Sequence, residues 1–350
     1  MPRFQTLILL LFVTTSWSGC RGRAETPDYV SSDQVEALPV ELAPEVRKAL
    51  RGHVGSFESP ILLTNDGSVS DAHLKLGQQV YQKRCVQCHG VSGDGNGPSA
   101  GSMYPKPRDY RKGVFKFTST PYGSKPVRDD LIRTVKIGVR GTSMPSFKLL
   151  PPNEIEAVVD YVLMLTHRGE LEEQIAVLAD FDEEVDQEII EEESVPIIKR
   201  QWEQAAGSQV IPMSPQPVFT QDHVNRGREA FLSKGCSKCH GDDGRGQTTD
   251  NLAGNLKDTW GNVTRAADLT GGMLHGGQRP IDVYRRIYSG INGTPMPSFA
   301  NAFQQEPDTI WDLVAYVLHV TNSRRMGESH LPGPISPYIP PTDDDSGAAE

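Results

Sequence analysis

The sequence predicts a helical protein in which one unit occurs twice, over residues 72–168 and 221–321. A length of 350 residues suits two domains of ordinary size with connecting segments. Two pentapeptides of one pattern, Cys85-Val86-Gln87-Cys88-His89 and Cys236-Ser237-Lys238-Cys239-His240, stand 151 residues apart (85 to 236). Further on, Gly141-Thr142-Ser143-Met144-Pro145-Ser146-Phe147 and Gly293-Thr294-Pro295-Met296-Pro297-Ser298-Phe299 agree at six of seven positions. Between His and Met the separations are 55 and 56 residues (89 to 144, 240 to 296), so the order and the spacing recur together.

Taken in order, residues 1–20 read as an export signal: Arg3 is the positive region, 7–13 the apolar run, and Ser16-Trp17-Ser18-Gly19-Cys20 the small-residue exit. Cys20 after Ser-Gly resembles a bacterial lipobox, which would leave Cys20 as a lipidated first residue and membrane tether. Ordinary cleavage is the alternative. No later apolar run is long enough to cross a bilayer. The extension at 21–71 holds one short helical candidate, 44–51. Each repeat then opens on a helical stretch with a Gly and an aromatic, Gly77 and Tyr81 or Gly227 and Phe231, and passes its pentapeptide into a Gly-rich loop, 90–97 or 241–246. Each closes on a segment with apolar residues at helical spacing, 153–167 or 307–320, with Tyr161 and Tyr316 on the inner stripe. The second copy has one extra residue between its Gly and its first Cys.

Between the copies, 169–220 reads as an acidic linker. Over 170–203 there are 13 acids against Lys199 and Arg200, a local charge of -11 where the whole chain carries -10. Leu171, Ile175, Leu178 and Phe181 have helical spacing that could dock on a neighbour, but the expectation is a solvated acidic helix followed by a Pro-rich tether, 195–217. The tail, 322–350, with five prolines and three consecutive aspartates, is expected to be disordered. The acidic balance argues against nucleic-acid binding, which needs a basic surface.

Two cysteines separated by two residues and followed at once by His form the attachment pattern of a c-type haem. Two thiols at that spacing reach the two vinyl groups of one porphyrin, and the next side chain lies under the iron. The rival readings are a shared zinc site of Cys85, Cys88, Cys236 and Cys239, which the completeness of each repeat disfavours, a redox dithiol, for which neither copy has a βαβ context, and disulfides, which leave His and Met unexplained. His89 and His240 are the expected axial nitrogens, each fixed by a hydrogen bond from its other ring nitrogen, with Pro98 as the expected acceptor in the first copy. Met144 and Met296 are the expected sixth ligands. Met103, Met164 and Met273 have no counterpart and read as core filling. Proline after each ligand Met restricts the loop so that the sulfur is presented. Arg108, Arg265 and the Trp260 indole N–H could anchor haem propionates; surface salt bridging is the equal alternative for the two arginines.

At these residues the sequence resembles class I cytochrome c, twice. The resemblance implies an all-α fold: two domains joined by the acidic helical and Pro-rich linker. It also implies that the Gly and aromatic of each first helix cross the last helix, and that two covalent haems (iron) are bound at Cys85, Cys88, His89 and Met144 and at Cys236, Cys239, His240 and Met296. A His/Met iron binds no substrate, so the expected function is single-electron transfer between redox proteins on the periplasmic side of a membrane. The alternative is a dihaem peroxidase or reductase with one iron able to open its sixth position. Partners would be an oxidase, reductase, dehydrogenase or another cytochrome, approached through salt-sensitive attraction to the acidic segment.

Overall fold

A computed structural model describes residues 28–323; Cys20, the export signal and the tail beyond 323 lie outside the described residues. The described chain is helical and has no strand, only two isolated bridges. Its main helices are α1 (Ala43–Val54), α2 (Asp71–Arg84), α3 (Arg128–Ile137), α4 (Pro152–Asp182), α5 (Val195–Ala205), α6 (Gln221–Ser233), α7 (Pro280–Ser289) and α8 (Asp308–Ser323). None of them is long and apolar enough to cross a membrane.

Local signals set the ends. Ser70 caps α2 by accepting from the His73 N–H at 3.2 Å, and Thr220 opens α6 with its hydroxyl 2.8 Å from His223 Nδ1. Pro152 and Pro280 occupy the first turns of α4 and α7, where a missing N–H costs nothing. Each repeat then crosses its first helix over its last, α2 on α4 and α6 on α8. Contact is close enough that a Cβ at Gly77 would stand 2.0 Å from the Ala157 carbonyl oxygen, and one at Gly227 2.0 Å from that of Asp312. Beside each crossing an aromatic pair packs, Tyr81 on Tyr161 at 5.3 Å and Phe231 on Tyr316 at 5.1 Å between centroids. The extra residue of the second copy is absorbed after α6 ends, where Gly235 takes a positive φ of 91°.

The expectation of a solvated linker is overturned. α4 continues to Asp182, and its added turns carry Leu171 and Ile175 fully buried against Val46, Leu50 and Val54 of α1 and Val195 and Ile198 of α5. Only Phe181 of the four apolar positions is openly exposed, at 86%. Two of the acids turn inward with partners: Glu172 accepts from the Ser32 N–H at 2.9 Å and meets Arg168 at 3.1 Å, and Glu170 accepts from the Trp202 indole at 2.8 Å and pairs with Lys125. Acidic composition suggested solvent, but these carboxylates are buried because cations and N–H groups meet them.

The two copies face each other through equivalent surfaces. Asp130 and Asp282 sit at the same place in α3 and α7, each accepting from the backbone N–H three residues earlier, at 3.3 and 3.2 Å. Arg133 pairs with Asp282 at 2.8 Å, and its counterpart Arg285 faces Asp130, opposing the upward push of burial on that carboxyl. An exchange of this kind is the mark of a two-fold relation between the copies. Gly123 N–H donates to Asn292 Oδ1 at 3.0 Å and Arg140 donates to Gln278 at 3.1 Å across the same boundary.

Candidate functional site

The pentapeptides form single helical turns, Val86–His89 and Ser237–His240, that begin directly after the first cysteine. His89 N–H donates to the Cys85 carbonyl at 2.9 Å and His240 N–H to that of Cys236 at 3.0 Å. One turn therefore sets the two sulfurs three residues apart on one face. Among the described residues all four cysteines are free of disulfides, and no cluster of His, Cys, Asp or Glu could hold a metal ion by itself. Before attachment to any group, burial pushes the Cys85 thiol up to about 12 and the Cys236 thiol up to about 11, because an apolar site disfavours the thiolate.

Each imidazole is oriented by one backbone carbonyl. His89 Nδ1 lies 3.2 Å from the Arg108 oxygen and His240 Nδ1 3.1 Å from the Ala267 oxygen. Pro98, the expected acceptor, is not the partner of His89. The acceptors lie 19 and 27 residues beyond their histidines (89 to 108, 240 to 267), since the second loop is longer. Burial lowers the pKa of both rings, partly offset by the carbonyl, so each is a neutral donor at Nδ1 with Nε2 free for a metal.

The Met heptapeptides are built by the same bonds in both copies. Thr142 and Thr294 each donate a hydroxyl to a carbonyl three residues back, at 2.8 Å, and accept from the Met N–H, at 3.2 and 3.3 Å. Ser146 and Ser298 cap the preceding helices by donating to the Lys136 and Tyr288 carbonyls, at 2.8 and 2.7 Å. Phe147 and Phe299 N–H groups donate to Val135 and Ile287, each at 3.2 Å. The recurrence of Thr, Ser and Phe around the Met in both copies thus has a mechanical reason: they fasten the sulfur-bearing loop to the end of α3 or α7.

Around this frame the copies diverge. In the first, Tyr81 donates to the Gly90 carbonyl at 2.8 Å and meets the Tyr110 hydroxyl at 2.6 Å, and Tyr110 lies 5.2 Å from the His89 ring. In the second, Phe231 and Leu269 hold those places, without hydroxyls. Arg108 turns away from its own loop, its guanidinium 3.9 Å from the centre of the Trp260 ring of the other copy. Arg265 donates to the Asn251 and Leu252 carbonyls. The Arg265 Nε and Trp260 Nε1 groups are buried without a hydrogen-bond partner among the described residues. Sequence reasoning missed Tyr110 and the two carbonyl acceptors. Tyr110 was open to notice as an aromatic within the loop, whereas a main-chain oxygen has no side-chain signature.

Residues 72–162 match the family described as cytochrome C oxidase, cbb3-type, subunit III, and residues 224–321 match cytochrome c. A chain of the Kuenenia stuttgartiensis reducing HAO-like protein complex is 30% identical, with a TM-score of 0.56, over 72% of this chain and 97% of its own. The chain is a tandem c-type cytochrome. It carries two covalently bound c-type haems and serves haem-based electron transfer. A search of the curated proteins finds no match.

The residues of this cytochrome fit such a group. In the second copy an apolar cavity of about 400 Å³ brings Cys236, Cys239, His240 and Met296 to one space, within the usual range for ligand sites. Arg265 lines this cavity, and its Nε, partnerless among the described residues, is a donor that a carboxylate would satisfy. In the first copy Cys85, Cys88, His89 and Met144 stand on the same hydrogen-bonded frame, bond for bond.

Proposed function

We propose that this cytochrome is an exported, lipid-tethered carrier or electron-transfer subunit that passes single electrons between redox proteins on the periplasmic side of a bacterial membrane. One haem is joined to Cys85 and Cys88 with His89 and Met144 as its axial ligands, the other to Cys236 and Cys239 with His240 and Met296; Cys20 bears the lipid. A c-type haem with imidazole and thioether ligands supplies one-electron exchange at a raised potential. The chain's own part is to hold those two ligands still. The observation that carries the reading is that both copies fasten the imidazole to a carbonyl and the Met loop to a helix end by identical bonds. A site of this kind is built to change little on taking up an electron, whereas an enzyme site must release a ligand to admit substrate. That the similar chain comes from a reducing HAO-like protein complex supports the subunit form of the proposal.

Met144→Ala and Met296→Ala are each expected to remove the thioether-to-ferric absorption band from one haem and leave the other intact. A single variant that abolished both bands, or neither, would show that the sulfurs are misassigned. Cyanide binding by the resting wild-type protein at rates typical of enzymes would overturn the carrier role.

A further inference from the structure

The cavity of the second copy is closed on one side by the first. Lys116 and Phe117 line it together with Cys236, Cys239, His240 and Met296. Phe117 approaches so closely that a Cβ at Gly276 would stand 2.5 Å from its ring, so that glycine is what lets the first copy reach in. Lys116 makes no hydrogen bond or ion pair with the described residues. Asp258 attracts it from a distance while Arg108 repels it, and burial pushes the amine down to about 8. A cation among apolar walls is costly unless a counter-charge meets it. Haem brings two carboxylates into this space, and Arg265, with its partnerless Nε, faces the same cavity from the second copy.

We propose that Lys116 is a carboxylate-binding residue of the second haem, so that the first copy supplies a cation to the second copy's site and the site is complete only when the two are docked. The inference rests on the assignment of the second haem to Cys236, Cys239, His240 and Met296. The relation between copies supports it. Arg108 and Ala267 are matching acceptors, and Tyr110 and Leu269 donate their N–H groups to the matching Gly93 and Gly244 carbonyls. In that register Lys116 corresponds to His275, and His275 also crosses the boundary, its Nδ1 against the Arg140 carbonyl and its Cε1 3.2 Å from where a Gly141 Cβ would lie. The same position thus reaches the opposite copy in both directions, as an imidazole one way and an ammonium the other.

A fixed cation beside a haem favours the ferrous state, because reduction lowers the positive charge on the iron. In Lys116→Met the ferrous-to-ferric ratio of the second haem at a fixed poise is expected to fall about tenfold, about 59 mV for a one-electron couple. The first haem should keep its ratio, and Lys116→Arg, which keeps the charge, should stay near wild type. The second haem is identified as the one whose thioether band is lost in Met296→Ala. An unchanged ratio in Lys116→Met, or an equal fall in Lys116→Arg, overturns the role of Lys116. A wild-type protein with no band dependent on Met296 overturns instead the assignment of the second site.

Discussion

The two copies agree at the ligand-bearing turns and differ in what surrounds them. In the first, the closing helix runs on past the unit and is wrapped by α1 and α5, with Trp202 edge-on to the buried His167 at 5.0 Å. The second copy's closing helix is joined instead by the 210–214 segment, where Met213 N–H donates to the Tyr284 hydroxyl at 2.9 Å and the Trp311 indole to the Ser214 carbonyl at 2.8 Å. The lesson is that the frame around the ligands tolerates little change, whereas the outer face of each unit is free to acquire a new layer. An inserted layer adds burial without touching the ligand bonds.

The largest effect should fall equally on both copies. Gly77→Ala and Gly227→Ala each place a methyl 2.0 Å from a main-chain oxygen, and each is expected to cost more than about 4 kcal/mol and unfold its own unit, read by calorimetry. Tolerance of alanine at either glycine would break the equivalence of the two crossings.

The next effect should separate the copies. Asp160, 1% exposed, accepts from Arg128 at 2.6 and 2.7 Å and lies 2.8 Å from His73 Nε2, so it ties three helices together. Among the described residues Asp312 accepts from the Arg226 side chain alone, at 2.9 and 2.8 Å, and that guanidinium is 54% exposed. Asp160→Asn is expected to cost about 3 kcal/mol in denaturant unfolding, against about 1 kcal/mol for Asp312→Asn. Equal costs would show that solvent reaches both pairs alike.

A third effect belongs to the first copy alone. Burial, with Lys125 nearby, holds the His167 imidazole down at about 3, and neither ring nitrogen has a hydrogen-bond partner among the described residues. The unfolded chain takes up a proton near pH 6.5 that the folded chain refuses, so stability should fall as pH drops from about 6.5 toward 3, by at most about 1.4 kcal/mol per unit. Guanidinium unfolding at pH 7 and 4.5 should show this loss in wild type and a smaller one in His167→Leu. Identical losses would place the acid sensitivity elsewhere.

The smallest effect concerns the added layer. Asp180, Glu184, Glu188 and Glu192 are exposed on it. Changing these four to Asn or Gln should slow electron transfer with a basic partner about tenfold at low salt and leave the high-salt rate unchanged. A salt dependence equal to wild type would remove this face from the encounter.

The residues proposed for both sites stand out in the chain, because covalent attachment demands two cysteines and a histidine in one turn, and a Met before Pro recurs in a repeated heptapeptide. The crossing helices were legible for a similar reason: Gly77 and Tyr81, or Gly227 and Phe231, lie on one face at helical spacing. The docking of 170–194 was half legible. Leu171, Ile175 and Leu178 announced an apolar stripe, but the charge of -11 outweighed it until α1 and α5 supplied what the stripe packs against.

Sequence by itself determined an all-α fold with a repeated unit and two covalent c-type haems, and it supplied the proposed ligands, since those properties follow from residues close together in the chain. Only the tertiary structure decided that Arg108 and Ala267 hold the two histidines, that the acidic segment is a third layer, and that Lys116 of one copy enters the cavity of the other. The physical reason is distance along the chain: a main-chain acceptor carries no identity, and a contact between surfaces more than a hundred residues apart leaves no local pattern to read.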